Sequence, residues 1–228
     1  WNAGEGGVVV AAHGSDWHWN ETIREGTRNL EARHPVEYAF SMADPPIIER
    51  AVRRLEKRGV RAIVIVRVFG LADSFERDIA RMIGRDLEDA VPRFEKGVAE
   101  HDHGHADDGG DHGDHGPSGF LPRIRSSAVL LTAGGLDDHD LFAQALLKRA
   151  QALSREPKRE TLILTAHGTK SDARNEHWLG VLQSIADKMR ALGGSGFRAI
   201  RVATWREDWP DKRRPWVESV RGWVEKAD

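Results

Sequence analysis

Cysteine is absent from all 228 residues. Disulfides and thiolate ligands are therefore excluded, and any metal must be held by imidazole, carboxylate or solvent. An excess of charge is also missing. The 34 Lys and Arg stand against 36 Asp and Glu, with no basic run to follow a phosphate backbone, which argues against nucleic acid as a partner. No apolar stretch approaches the roughly 18 residues that a membrane-spanning helix requires. No basic, apolar leader opens the chain, which starts Trp1-Asn2-Ala3. A start without Met leaves room for a leader removed upstream, and with it a periplasmic location.

What is present alternates between short apolar runs and helical periodicity. Gly7 to Ala12 is Val-rich and bounded by glycine on both sides, the pattern of a buried strand, and Val36 to Phe40 and Arg61 to Phe69 read the same way. Between them, Glu21 to Arg33 and the segment opened by Pro45-Pro46 read as helices, the second with Ile48, Val52 and Leu55 on one face. Glu76 to Ala90 is expected to be a third helix. Strands alternating with helices predict a parallel sheet. Ser126 to Thr132 and Asp138 to Leu153 then supply one more strand and helix, which the chain order assigns to the first lobe.

The pattern restarts at Thr161 to Ala166. Val10-Ala11-Ala12-His13-Gly14-Ser15 and Leu164-Thr165-Ala166-His167-Gly168-Thr169 form an internal repeat, and each copy continues with a helix, a strand and a proline-started helix, at Pro46 and Pro210. The expected division is a first lobe of residues 1–100 and 120–156, a His/Asp/Gly-rich loop over 101–119, and a second lobe over 157–228. The second copy stops before its third strand, so the second lobe is expected to be incomplete.

A histidine at the carboxyl end of a parallel strand, followed by Gly and a hydroxyl residue, lies where α/β sheets bind ligands. An imidazole there can coordinate a metal or take a proton, and Gly14 and Gly168 let a ligand approach the backbone. The other reading of His13 and His167 is structural, with Ser15 and Thr169 starting the next helices. Residues 101–116 hold five histidines, His101, His103, His105, His112 and His115, together with Asp102, Asp107, Asp108, Asp111 and Asp114. That donor set suits borderline divalent ions such as Co²⁺, Ni²⁺ and Zn²⁺. Arg67 and Arg206 lie near strand ends, where they could pair with substrate carboxylates. Trp17, Trp19, Trp205 and Trp209, from eight Trp against one Tyr, could stack on a flat ligand.

At these residues the sequence resembles the class II tetrapyrrole metal chelatases of the sirohydrochlorin cobaltochelatase family, the CbiX and SirB type. The matching features are the strand ending Ala12-His13-Gly14-Ser15, the Val36 to Phe40 strand, the Pro46 helix, the Ile63 to Phe69 strand and Asp78-Ile79. The resemblance implies an α/β fold of two tandem chelatase-like lobes, each a parallel sheet flanked by helices. It implies insertion of Co²⁺, or else Ni²⁺, Fe²⁺ or Zn²⁺, into sirohydrochlorin or a related acidic tetrapyrrole, without an organic cofactor. His13 and His167 would be catalytic and metal-binding, with the loop histidines as further ligands. Gly14, Ser15, Arg67, Ser74, Gly168, Thr169, Arg206 and Glu207 would line the substrate. A cytoplasmic location and a homodimer are compatible with it. Ser74 stands where the family's spacing puts a second histidine, and Met42 where it puts a metal-binding glutamate. A non-catalytic metal- or tetrapyrrole-binding relative therefore remains the alternative. A phosphate-binding transferase built on Gly14-Ser15 is a third reading, without a phosphate-loop signature.

Overall fold

The computed structural model describes residues 5–85 and 122–226; the His/Asp/Gly-rich stretch lies outside them, and the helix expected over Glu76 to Ala90 ends at Met82, just before Gly84 at φ +73°. The described chain divides into two compact units, residues 5–85 with 122–136 and residues 137–226.

The first unit is built on four parallel strands in the order β2-β1-β3-β4, from β1 (Gly6–Ala12), β2 (Val36–Phe40), β3 (Ala62–Val68) and β4 (Val129–Gly134). Strand periodicity sorts the side chains. Val9, Ala11, Ala39, Ile63, Ile65 and Leu130 share one core cluster with Ile48, Ala51, Val52 and Leu55 of α2 (Pro45–Lys57) and with Ile79 and Met82 of α3 (Glu76–Met82). Helix α2 starts at its prolines, where a missing N–H costs nothing. By contrast, α1 (Trp17–Glu31) buries none of its side chains. It is tied to β2 by polar contacts, with Tyr38 Oη 2.8 Å from Thr27 Oγ1 and donating to Glu31 over 3.0 Å.

The second unit holds two parallel strands, β5 (Thr161–Ala166) and β6 (Ala199–Thr204), with α4 (Asp140–Leu153), α5 (Asp172–Ala191) and α6 (Pro210–Glu225). Its core joins Ala143 and Leu147 of α4 to Ile185, Ala186 and Met189 of α5 and to Phe197 and Ile200. The helix assigned above to the first lobe thus belongs to the second unit. Its apolar stripe packs on α5, and Asp138, just ahead of it, accepts from Ser184 over 2.5 Å and pairs with Lys188 over 3.1 Å. The boundary accordingly falls after Leu136.

The helix starts also differ from expectation. Asp16 and Ser171, not Ser15 and Thr169, cap α1 and α5, accepting from the backbone N–H of Trp19 and Arg174. Among the described residues no helix is long and apolar enough to cross a membrane.

Candidate functional site

Because every strand pair is parallel, the turns that follow the strands gather along one edge of each sheet. In the first unit that edge carries His13-Gly14-Ser15 after β1, Ser41 and Met42 after β2, and the 69–75 segment after β3. In the second it carries His167-Gly168-Thr169 after β5 and Trp205 to Trp209 after β6.

The repeat seen in the sequence is repeated in the geometry. The register pairs Ala12 with Phe40 and Ala166 with Thr204, and the next residue, Ser41 or Trp205, donates its N–H over 2.9 Å to the carbonyl of Ala12 or Ala166. Gly14 and Gly168 both take positive φ, +78° and +80°. A Cβ on Gly14 would stand 2.8 Å from Cβ of Phe40, and one on Gly168 would stand 2.6 Å from Asn175 Oδ1 and 2.9 Å from Cβ of Thr204. Glycine is therefore demanded by the neighbouring strand as well as by the backbone angle. Close approach by a ligand is not needed to account for it.

Both histidines are exposed, and both use Nδ1 locally. His13 Nδ1 lies 2.6 Å from the Gly14 carbonyl, and His167 Nδ1 lies 3.0 Å from that of Gly168. A carbonyl only accepts, so these contacts place a proton on Nδ1, and in the neutral ring the lone pair is then on Nε2. At His167 Nε2 faces two carboxylates, Asp208 Oδ2 at 3.1 Å and Glu207 Oε1 at 3.7 Å. Trp209 sits edge-on to the same ring, with centroids 5.9 Å apart. A ring nitrogen opposite two anions calls for a cation between them, either a proton on Nε2 or a metal. Sequence reasoning missed Asp208; its only signal was the Glu207-Asp208 pair of acids one residue beyond Arg206.

The two arginines expected to meet substrate carboxylates are internal struts. Arg67 is 3 % exposed, and its guanidinium donates to the carbonyls of Ala72, Ser74 (3.0 Å) and Gly134 (3.2 Å), to Thr132 Oγ1 (3.2 Å) and to Glu76 Oε1 (3.4 Å). It shapes the 71–76 turn from inside. Ser74 enters the same network through its backbone carbonyl. Arg206 is 5 % exposed, with Nη2 donating to the Lys170 carbonyl over 2.6 Å and Nη1 paired with Asp172 over 2.9 Å. Hydrogen bonds from Lys212 and then Arg206 hold the Asp172 carboxyl below its ordinary range. Thr169 spends its hydroxyl on the Ser171 carbonyl, whereas Ser15 is exposed.

Trp17 and Trp19 fall in the first turn of α1 rather than in a loop, and they are 69 % and 37 % exposed. Met42, at 47 %, is exposed on the same edge as His13. Outside the histidine-rich stretch, no compact group of three or more His, Asp or Glu suited to enclosing a metal ion is formed among the described residues. The expected ligands His101, His103, His105, His112 and His115 lie beyond those residues.

Comparison with known proteins finds similarity over the first part of the chain. The CbiX family model matches residues 7–106. Over these residues the chain is similar to the CbiX family. A sirohydrochlorin cobaltochelatase from Sulfolobus acidocaldarius is 32 % identical over 80 residues, 34 % of this chain and 65 % of that relative. The chain thus spans just under two thirds of the relative's length. Among solved structures, a multi-domain protein from Deinococcus radiodurans, described as similar to chelatases with two additional domains, aligns with 87 % of this chain and 38 % of its own at 17 % identity and a TM-score of 0.49. The second unit lies outside the CbiX match, and its kinship to the first rests on the internal repeat.

Proposed function

We propose that the protein inserts a divalent metal, Co²⁺ foremost, into sirohydrochlorin or a related acidic tetrapyrrole. The observation that carries this reading is the similarity to the CbiX family over residues 7–106, with His13 exposed at the carboxyl edge of the sheet and its Nδ1 held by the Gly14 carbonyl. Insertion exchanges one M²⁺ for two pyrrole protons. A neutral Nε2 can do either half of that work, binding the incoming ion or taking a proton. In the second unit His167 with Asp208 and Glu207 offers the nitrogen and oxygen donors that a borderline ion accepts. An open site suits a metal that is substrate, because the ion has to leave for the macrocycle. Exposed Trp17 and Trp19 supply apolar faces on which a flat ring can stack.

A second reading is favoured by Met42 and Ser74, which offer neither carboxylate nor imidazole where the family's spacing puts both. In it the chain binds metal or tetrapyrrole without insertion. An absorbance time course of sirohydrochlorin with Co²⁺ separates the two. Insertion faster than the protein-free control, lost in His13→Ala, is the expected result. Tight Co²⁺ binding with no acceleration would establish the second reading instead.

A further inference from the structure

We infer that Asn20 and Asn175 are positioning residues that set the tautomer of His13 and His167. The inference deepens the chelatase reading, on which the use of Nε2 rests. Asn20 and Asn175 are each the fourth residue of the helix that follows the histidine, α1 and α5. Asn20 Oδ1 accepts from the N–H of Ser15 over 3.1 Å, and its Nδ2 donates to the Ser15 carbonyl over 3.3 Å. Asn175, 3 % exposed, accepts from the N–H of Thr169 over 3.3 Å.

The peptide unit that each asparagine holds is the one that joins Gly14 to Ser15, or Gly168 to Thr169. Its other polar group is the glycine carbonyl that accepts from His Nδ1. A trans peptide is planar, with C=O and N–H pointing in opposite directions. Pinning the N–H therefore aims the carbonyl. The result is a chain of two hydrogen bonds, from His Nδ1–H to the glycine carbonyl and from the same peptide's N–H to the asparagine Oδ1, in which each bond polarises the other. Without the asparagine, a glycine-containing peptide at positive φ is free to rock, and the ring loses the acceptor that keeps its proton on Nδ1. Two copies built on different surroundings, one half-buried and one buried, have this hydrogen bond in common.

The test is long-range ¹⁵N–¹H spectroscopy of the histidine side chains in the intact protein at about pH 8.5, well above the ordinary imidazole value of about 6.5. In the wild type both His13 and His167 should carry the proton on Nδ1. Asn20→Ala should lose that signature at His13 and keep it at His167, and Asn175→Ala should do the reverse, with the backbone amide spectrum of the altered unit unchanged away from the turn. Asn20→Asp retains an acceptor for the Ser15 N–H and should restore the His13 signature. Asn20→Ala should also weaken Co²⁺ binding at His13 about tenfold, the scale seen when a group that orients a ligand is removed. A wild-type His13 protonated on Nε2, or an Asn20→Ala chain that retains the Nδ1 proton, would overturn the inference. The spectra need neither metal nor tetrapyrrole, so an absence of insertion activity leaves them standing and the two readings fail separately.

Discussion

His167 Nε2 and Asp208 Oδ2 stand 3.1 Å apart, while the other nitrogen of the same ring is committed to the Gly168 carbonyl. The carboxylate therefore meets the ring's free-facing nitrogen, and a cation placed between them, proton or metal, satisfies both. Asp208→Asn removes the negative charge and keeps the size. Co²⁺ binding at the second unit should weaken by about tenfold, or about 1.4 kcal/mol, measured by calorimetry on a chain that also carries His13→Ala and lacks residues 101–115. Unchanged affinity would show that the pair does not hold metal.

Arg67 should matter for stability. Its removal leaves the carbonyls of Ala72, Ser74 and Gly134 without their buried donor. Arg67→Met is expected to destabilise the first unit by about 3 kcal/mol, since breaking one side of a buried charged network is costly. Urea unfolding measures it, and a change below about 1 kcal/mol would mean that the turn finds other donors.

The interior position of Arg67 was legible in the sequence, yet it was misread. Period-two alternation along β3 places Arg67 on the face of Ile63 and Ile65, which is the core. An arginine there must be satisfied internally. Proximity to a strand end suggested substrate instead. The strands β2 and β5 were readable to the residue, because β-branched or apolar runs end abruptly at turn residues. The start of α1 was not, since Trp17-His18-Trp19 gives no helical signal and only the Asp16 cap shows the turn. Helix α4 follows β4 in the chain, and nothing short of its packing on α5 reveals which unit it joins. Among the site residues, His13 and His167 stood out through the repeat. Asn20 and Asn175 did not, being seven and eight residues beyond their histidines. What they share is a helix position, which becomes visible once the helix starts are known.

Glu56 gives the first unit a specific response to acid. One carboxylate oxygen accepts from the Ser126 hydroxyl at 2.8 Å, the Ser127 N–H at 2.6 Å and hydroxyl at 2.9 Å, and the Ala128 N–H at 3.2 Å. Burial opposes the charge, but these bonds together outweigh it and lower the pKa from the ordinary 4.5. A group depressed on folding contributes stability above its unfolded pKa and loses it as pH falls through the folded one. The stability advantage of wild type over Glu56→Gln should be constant near neutral pH and shrink below about pH 4.5. An advantage that persists undiminished at pH 3 would contradict the assignment.

Two glycines of the second unit separate backbone strain from crowding. Gly193 takes φ +110° with nothing within 4 Å of an added Cβ, whereas Gly168 takes φ +80° with three heavy atoms inside 3.0 Å. Gly193→Ala should cost about 1–2 kcal/mol from the left-handed conformation alone. Gly168→Ala should cost about 1–3 kcal/mol more, because Asn175, Arg206 and Thr204 must shift. Equal unfolding midpoints for the two variants would show that the contacts beneath Gly168 yield freely.

The hydrogen bonds that hold Nδ1 of His13 lie in one short stretch, from the end of β1 to the fourth residue of α1, and the same holds for Nδ1 of His167. Such a cassette is portable. Copying a single strand–turn–helix segment transfers a correctly presented imidazole without importing any residue from a distant part of the chain. The carboxylates that face the His167 imidazole come instead from the turn after β6 and belong to a different stretch of chain.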